Sequence, residues 1–136
     1  MRFDTKIAVV LRDDLAVWQK TNVTAFLVSG IAGTDPATVG EPYEDGSGNR
    51  YLPMFRQPVI VFAADAAGIR RAYERALQRG VPIAIYTAEL FATAHDEANR
   101  AAVAAVPAED LDLVGIAMRA DAKVVDRVLD RLRPHP

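Results

Sequence analysis

The 136-residue chain has no cysteine. Disulfides, zinc–thiolate sites, iron–sulfur clusters and thiol nucleophiles are therefore excluded. A long hydrophobic run is also missing: no apolar stretch approaches the roughly 18 residues that a membrane-spanning helix needs. The opening stretch MRFDTKIAVVLRDD lacks the layout of a signal peptide. Its apolar part, Ile7 to Leu11, is too short, Asp4 precedes it, and no small-residue cleavage site follows. A cytoplasmic protein with no membrane partner is the resulting expectation. An excess of one charge sign is absent too. Sixteen Lys and Arg stand against eighteen Asp and Glu, a net charge of −2. Non-specific nucleic-acid binders are strongly basic, so this balance disfavours tRNA as a partner. The phosphate- and dinucleotide-binding glycine motifs and the nucleophile elbow are all missing, and no cofactor is indicated. The two histidines, His95 and His135, lie far apart, which argues against a two-histidine metal site. The DGSGN segment lacks the alternating carboxylates of a calcium loop and reads more simply as a hairpin turn.

What is present is a foldable core. Hydrophobic residues make up 51% of the chain and charged residues 25%, the balance of one soluble domain spanning residues 1–136. Four short apolar runs, at 6–11, 59–64, 82–86 and 111–118, read as strands covered on both faces. Between them lie helical stripes. Val23, Phe26, Leu27, Gly30 and Ile31 mark a helix at about 18–31, and Ile69, Ala72, Tyr73, Ala76 and Leu77 mark a second, with Asp65 as its N-cap and Gly80 just past its end. Residues 88–106 are alanine-rich and helical in tendency, with Thr93 and Asp96 spaced as a capping box. Val124, Val125, Val128, Leu129 and Leu132 mark a last helix that Pro134 and Pro136 end, leaving His135 in a fraying tail. The alternation predicts an α/β domain, a three-layer sheet with helices on both faces. Residues 32–57, rich in Gly and Pro, are an irregular insertion with a hairpin turning at Asp45–Gly48. A stretch of this kind is expected to border a functional cleft.

The segment KIAVVLRDDLAVWQKTNVTAFLVSGI resembles the bacterial family known as domain of unknown function 2000, together with QPVIVFAA, GVPIAIYTAELFATAHDEANR and DLDLVGIAM. That family is similar in fold to the type II peptidyl-tRNA hydrolases. The resemblance implies a four-stranded mixed sheet whose last strand is antiparallel, hydrolase-like chemistry and a homodimer. The hydrolases end their first strand in Arg-x-Asp-Leu, which Arg12, Asp13, Asp14 and Leu15 reproduce. Their Gly-Lys-Gly-Lys segment corresponds, with one residue inserted, to Gln19, Lys20, Thr21 and Asn22, so Asn22 replaces the functional lysine. Their Asp-Ala-Gly-x-Thr corresponds to Glu89, Leu90, Phe91, Ala92 and Thr93, which keeps the acid and the threonine. The histidine of their first helix has no counterpart near Ser29 or Gly30.

Each of these residues has a plain alternative reading. Lys20 is a solvated lysine or a cation at a helix N-terminus beside a strand end, where α/β ligands bind. Asn22 is a surface amide or a hydrogen-bond donor in the site. Asp14 caps the first helix or binds ligand, and Trp18 is core or a stacking wall. Glu89 is surface charge or a site acid, Thr93 an N-cap or a catalytic hydroxyl, and His95 a structural imidazole or the base of the site. Arg70, Arg71, Arg75 and Arg79 form a solvated face or a phosphate patch. Two functions follow. The first is a domain that binds a small molecule or nucleotide-type ligand through Asp14, Trp18 and Asn22. The second is a hydrolase of peptidyl-tRNA or another ester or amide, working through Lys20, Glu89, Thr93 and His95. Sheet edges that need protection independently suggest self-association as a homodimer.

Overall fold

A computed structural model describes residues 3–136. The first strand, β1 (Thr5–Arg12), leads into α1 (Val17–Thr34). A short hairpin follows, β2 (Tyr43–Glu44) and β3 (Arg50–Tyr51), then β4 (Val59–Ala64) and α2 (Ala66–Gln78). The rest is β5 (Ile83–Thr87), α3 (Asp96–Ala104), β6 (Leu113–Asp121), α4 (Ala122–Val128) and β7 (Arg133–Pro134). The main sheet has five strands in the order β5-β6-β1-β4-β7. β1 pairs with β4 in parallel, while β6 runs antiparallel to both β1 and β5. β1, β4 and β5 therefore share one direction and end on the same side of the sheet.

Alternation along β1 divides the core into two layers. Ile7, Val9 and Leu11 pack with Val23, Leu27 and Ile31 of α1 on one face. Ala8 and Val10 pack with Ile69, Ala72 and Tyr73 of α2 and with Val125 and Val128 of α4 on the other. α3 flanks the β5 edge, where Val103 touches both layers. The ends of α2 follow directly from sequence. Asp65 accepts the Gly68 N–H at 2.7 Å, and Gly80 takes a φ of +65° so that the Val81 N–H reaches the Ala76 carbonyl at 2.9 Å. Only a residue without Cβ adopts that turn cheaply.

Several expectations need correction. The main sheet has five strands rather than four, because Arg133 and Pro134 pair with Ala63 and Phe62 on the outer edge of β4. The tail does not fray there: the His135 N–H donates to the Val61 carbonyl at 2.8 Å. The last helix runs over Ala122–Val128 and stops before Leu132. Residues 88–106 are not one helix. A 3₁₀ turn, Ala88–Ala92, precedes α3, and His95 rather than Thr93 is the N-cap of α3. Asp14 does not cap α1. The N-cap is Ala16, whose N–H donates to Gln19 Oε1 at 2.9 Å. The expected hairpin is present, with Asp45 Oδ1 accepting the N–H groups of Ser47 and Asn49. Residues 32–57 lie near the start of β1, where Gln57 Nε2 donates to the Thr5 carbonyl at 3.0 Å. None of them lines the cavity described next.

Candidate ligand-binding site

Trp18, Asn22 and Phe26 recur every fourth residue, so they share one face of α1. That face looks onto the turn that follows β5. Tyr86 is the penultimate residue of β5, and the 3₁₀ turn after it carries Leu90 and Phe91. The chain then passes Thr93 and enters α3 at His95, with Asn99 on the first turn. These elements enclose an open cavity of about 260 Å³ beyond the ends of the parallel strands. Ligands in open α/β folds bind in this position, because strand C-termini and helix N-termini meet there.

The walls are aromatic. Trp18 meets Phe91 edge-on at 5.8 Å between centroids, Phe91 lies 5.1 Å from Tyr86, and Tyr86 meets Phe26 at 5.8 Å. Trp18 is 62% exposed, so it forms the rim of the cavity rather than core. Between the rings sit short polar groups. Asn22 Nδ2 donates to the Tyr86 hydroxyl at 3.4 Å. Burial raises the Tyr86 pKa above the usual phenol value, against a smaller lowering by Asn22, so the hydroxyl keeps its proton. Thr93 Oγ1 contacts the Leu90 carbonyl at 2.9 Å and the side-chain amide of Asn99. The hydroxyl is the donor in both contacts, its one proton shared between the Leu90 carbonyl and Asn99 Oδ1. His95 Nδ1 accepts the Ala98 N–H at 3.2 Å. A nitrogen that accepts carries no hydrogen, which places the proton of a neutral ring on Nε2. The imidazole then offers a donor to the cavity, and its basic nitrogen is occupied as the helix cap.

Of the residues singled out by sequence, Trp18, Asn22, Thr93 and His95 line this one cavity. Lys20, Glu89 and Asp14 do not. Two residues along a helix turn the side chain by about 200°, so Lys20 faces away from Asn22. Its Nζ lies 3.0 Å from Nε2 of His135. Asp14 accepts from Arg12 Nε at 2.7 Å, while Arg12 Nη1 reaches Asp112 at the same distance. The Arg12 hydrogen bond holds the Asp14 carboxyl below the usual aspartate range, and the two carboxylates raise the guanidinium pKa despite partial burial. Glu89 is exposed. The arginine row of α2 is largely spent on structure: Arg70 donates to the carbonyls of Ala108 and Leu111, and Arg75 to that of Asp130. Phe26, Tyr86, Phe91, Asp96 and Asn99 also line the cavity and are not among the site candidates from sequence. Phe26 could have been found, since it stands four residues beyond Asn22 on the face that Trp18 begins. Among the described residues no cluster of three or more His, Asp and Glu is arranged to hold a metal ion, and no helix is long and apolar enough to cross a membrane.

Comparison with known proteins places this architecture. The solved structure of a protein of unknown function from Agrobacterium strain C58 is 48% identical, covers 99% of this chain and 100% of its own, and superposes with a TM-score of 0.97. Among curated proteins no match is found. The family model described as "Protein of unknown function (DUF2000)" matches residues 5–136. The chain therefore belongs to the DUF2000 family.

Proposed function

We propose that the protein binds a small, flat, uncharged ring compound between α1 and the β5–α3 turn. The observation that carries this reading is the makeup of the cavity: four aromatic side chains surround two amides, a hydroxyl and an imidazole, and the one carboxylate, Asp96, is paired with Arg100. Aromatic walls stack on a planar ring, and short donors and acceptors read its edge. Neither Lys nor Arg lines the cavity, so no side-chain cation there favours a phosphate. Within nucleotide-type ligands, this selects a base or nucleoside over a nucleotide.

The framework we propose for this site is similar to that of the type II peptidyl-tRNA hydrolases. The Arg12-x-Asp14-Leu15 motif at the end of β1 and the antiparallel β6 support that likeness. The hydrolase reading has less support, because Lys20 and Glu89 lie off the cavity and the His95 Nδ1 is engaged. Purified protein is expected to leave peptidyl-tRNA intact in a deacylation assay. Turnover that is lost in Lys20→Ala and Glu89→Gln would reinstate hydrolysis.

Trp18 is the only tryptophan, so its fluorescence reports this cavity alone. Adenine and adenosine are expected to quench it and to raise the melting temperature, with AMP binding no more tightly than adenosine. Phe91→Ala and Asn99→Ala should each weaken binding roughly tenfold, about 1.4 kcal/mol. Titrations in which no base or nucleoside changes either signal would overturn the proposal.

A further inference from the structure

Tyr86 is the one polar side chain of the cavity that is itself buried, at 4% exposure. Contacts with Phe26 and Phe91, at 5.8 and 5.1 Å between centroids, hold its ring in place. The hydroxyl oxygen accepts from Asn22 Nδ2 at 3.4 Å, but among the described residues nothing accepts its proton. Burial raises the phenol pKa, so that proton stays on the oxygen. A buried donor without an acceptor costs the fold free energy, which an acceptor atom on a ligand would recover.

Asn22 supplies the matching half. Its Nδ2 is spent on Tyr86, and its Oδ1 accepts from no described residue. The bond between the two side chains keeps them adjacent, so the cavity wall carries a donor, the Tyr86 O–H, next to an acceptor, Asn22 Oδ1. Two such groups side by side recognise a ring edge on which an acceptor atom stands next to a donor. A ring with an acceptor alone leaves Asn22 idle, and a ring with a donor alone leaves Tyr86 idle.

We propose that Tyr86 and Asn22 are the specificity-determining pair of the cavity: the ligand offers a ring nitrogen or carbonyl oxygen to the Tyr86 hydroxyl and, from the neighbouring position, an N–H to Asn22 Oδ1. This rests on the ring-binding reading above and adds the edge by which the ring is chosen. Aromatic contact holds any flat ring. The pair rejects rings that lack either partner, because the group opposite is then left unpaired in the site.

The test compares adenine, whose ring nitrogen and neighbouring amino group form such an edge, with two analogues of nearly the same shape, all titrated by Trp18 fluorescence. Purine lacks the amino donor, and 1-deazaadenine has a C–H in place of the acceptor nitrogen. Wild type should bind adenine roughly tenfold more tightly than either. Tyr86→Phe keeps the aromatic ring and should bind 1-deazaadenine as wild type does, with adenine weakened to the same level. Asn22→Ala should likewise bind purine unchanged and bring adenine down to it. Equal binding of all three compounds by wild type would overturn the pair and leave ring binding standing. So would a preference for adenine that survives over 1-deazaadenine in Tyr86→Phe, or over purine in Asn22→Ala. Failure of adenine and both analogues to bind would overturn both readings.

Discussion

Thr93 and Asp45 show how much a single polar side chain decides here. Thr93 joins the Leu90 carbonyl to the Asn99 amide, tying the turn after β5 to the first turn of α3. Thr93→Val keeps the volume and removes both bonds, and should cost about 1–2 kcal/mol in chemical unfolding, while Thr93→Ser should restore most of it. Asp45 organises the β2–β3 turn, accepting from the Tyr51 hydroxyl at 2.6 Å and from Asn49 and Ser47. The Tyr51 bond is the largest of the causes that hold the Asp45 carboxyl well below the ordinary range, and the same bond raises the Tyr51 pKa. A depressed acid pKa contributes stability above the unfolded value, near 3.9, that is lost as pH falls through the folded one. A raised phenol pKa contributes stability below about 10 that is lost as pH rises through the folded value. The hairpin should therefore hold across the neutral range and loosen only in strong acid or strong base. An NMR titration of Tyr51 in Asp45→Ala should show its pKa returning toward that of a free tyrosine, and an unchanged titration would show that the bond is not formed in solution.

At the scale of elements, the site exists because α1 lies close against β6 and β5. Gly115 of β6 is the reason it can. A Cβ there would stand 2.6 Å from Val23 Cγ1 and 3.0 Å from Leu27 Cδ1. Real packing does not allow those distances, so a side chain would push α1 outward, and with it Trp18, Asn22 and Phe26. Gly115→Ala should destabilise the fold by roughly 1–3 kcal/mol, as overpacking of a dense core does. It should also weaken ring binding at Trp18. Unfolding midpoints and fluorescence titrations on the same variant check both, and a neutral variant would show that α1 is free to shift.

For the whole molecule, the outer edge of the sheet is closed by the end of the described chain. β7 pairs with β4, and the His135 ring meets Lys20 on α1, so these last residues tie β4 to the helix that carries the site. Removing residues 133–136 deletes the ladder bonds of β7, the His135 N–H bond to Val61 and the Lys20 contact. At about 1 kcal/mol per net hydrogen bond, the truncated chain should lose roughly 1–3 kcal/mol and melt several degrees lower. Calorimetry on the truncated and full chains measures it. An unchanged melting temperature would mean that the strand adds nothing to the edge it covers.

The sequence alone determined what local pattern can determine. Continuous apolar runs placed β1, β4, β5 and β6, the 3.6-residue stripes placed α1 and α2, and Asp65, Gly80 and Asp45–Gly48 marked their caps and turn, because each signal lies within one element. Tertiary structure decided the rest. Arg133 and Pro134 have no strand pattern of their own and become β7 only because β4 offers an open edge. Thr93 has good capping spacing, but the chain leaves Ala92 as a 3₁₀ turn, and His95 is the residue whose ring reaches the free Ala98 N–H in the first turn of α3. Lys20 and Asn22 are two positions apart in sequence and lie on different flanks of α1, since a helix turns about 100° per residue. Four of the seven site candidates line the cavity and three do not, and that division followed the direction of each side chain, which no spacing along the chain reveals for a residue outside a helix.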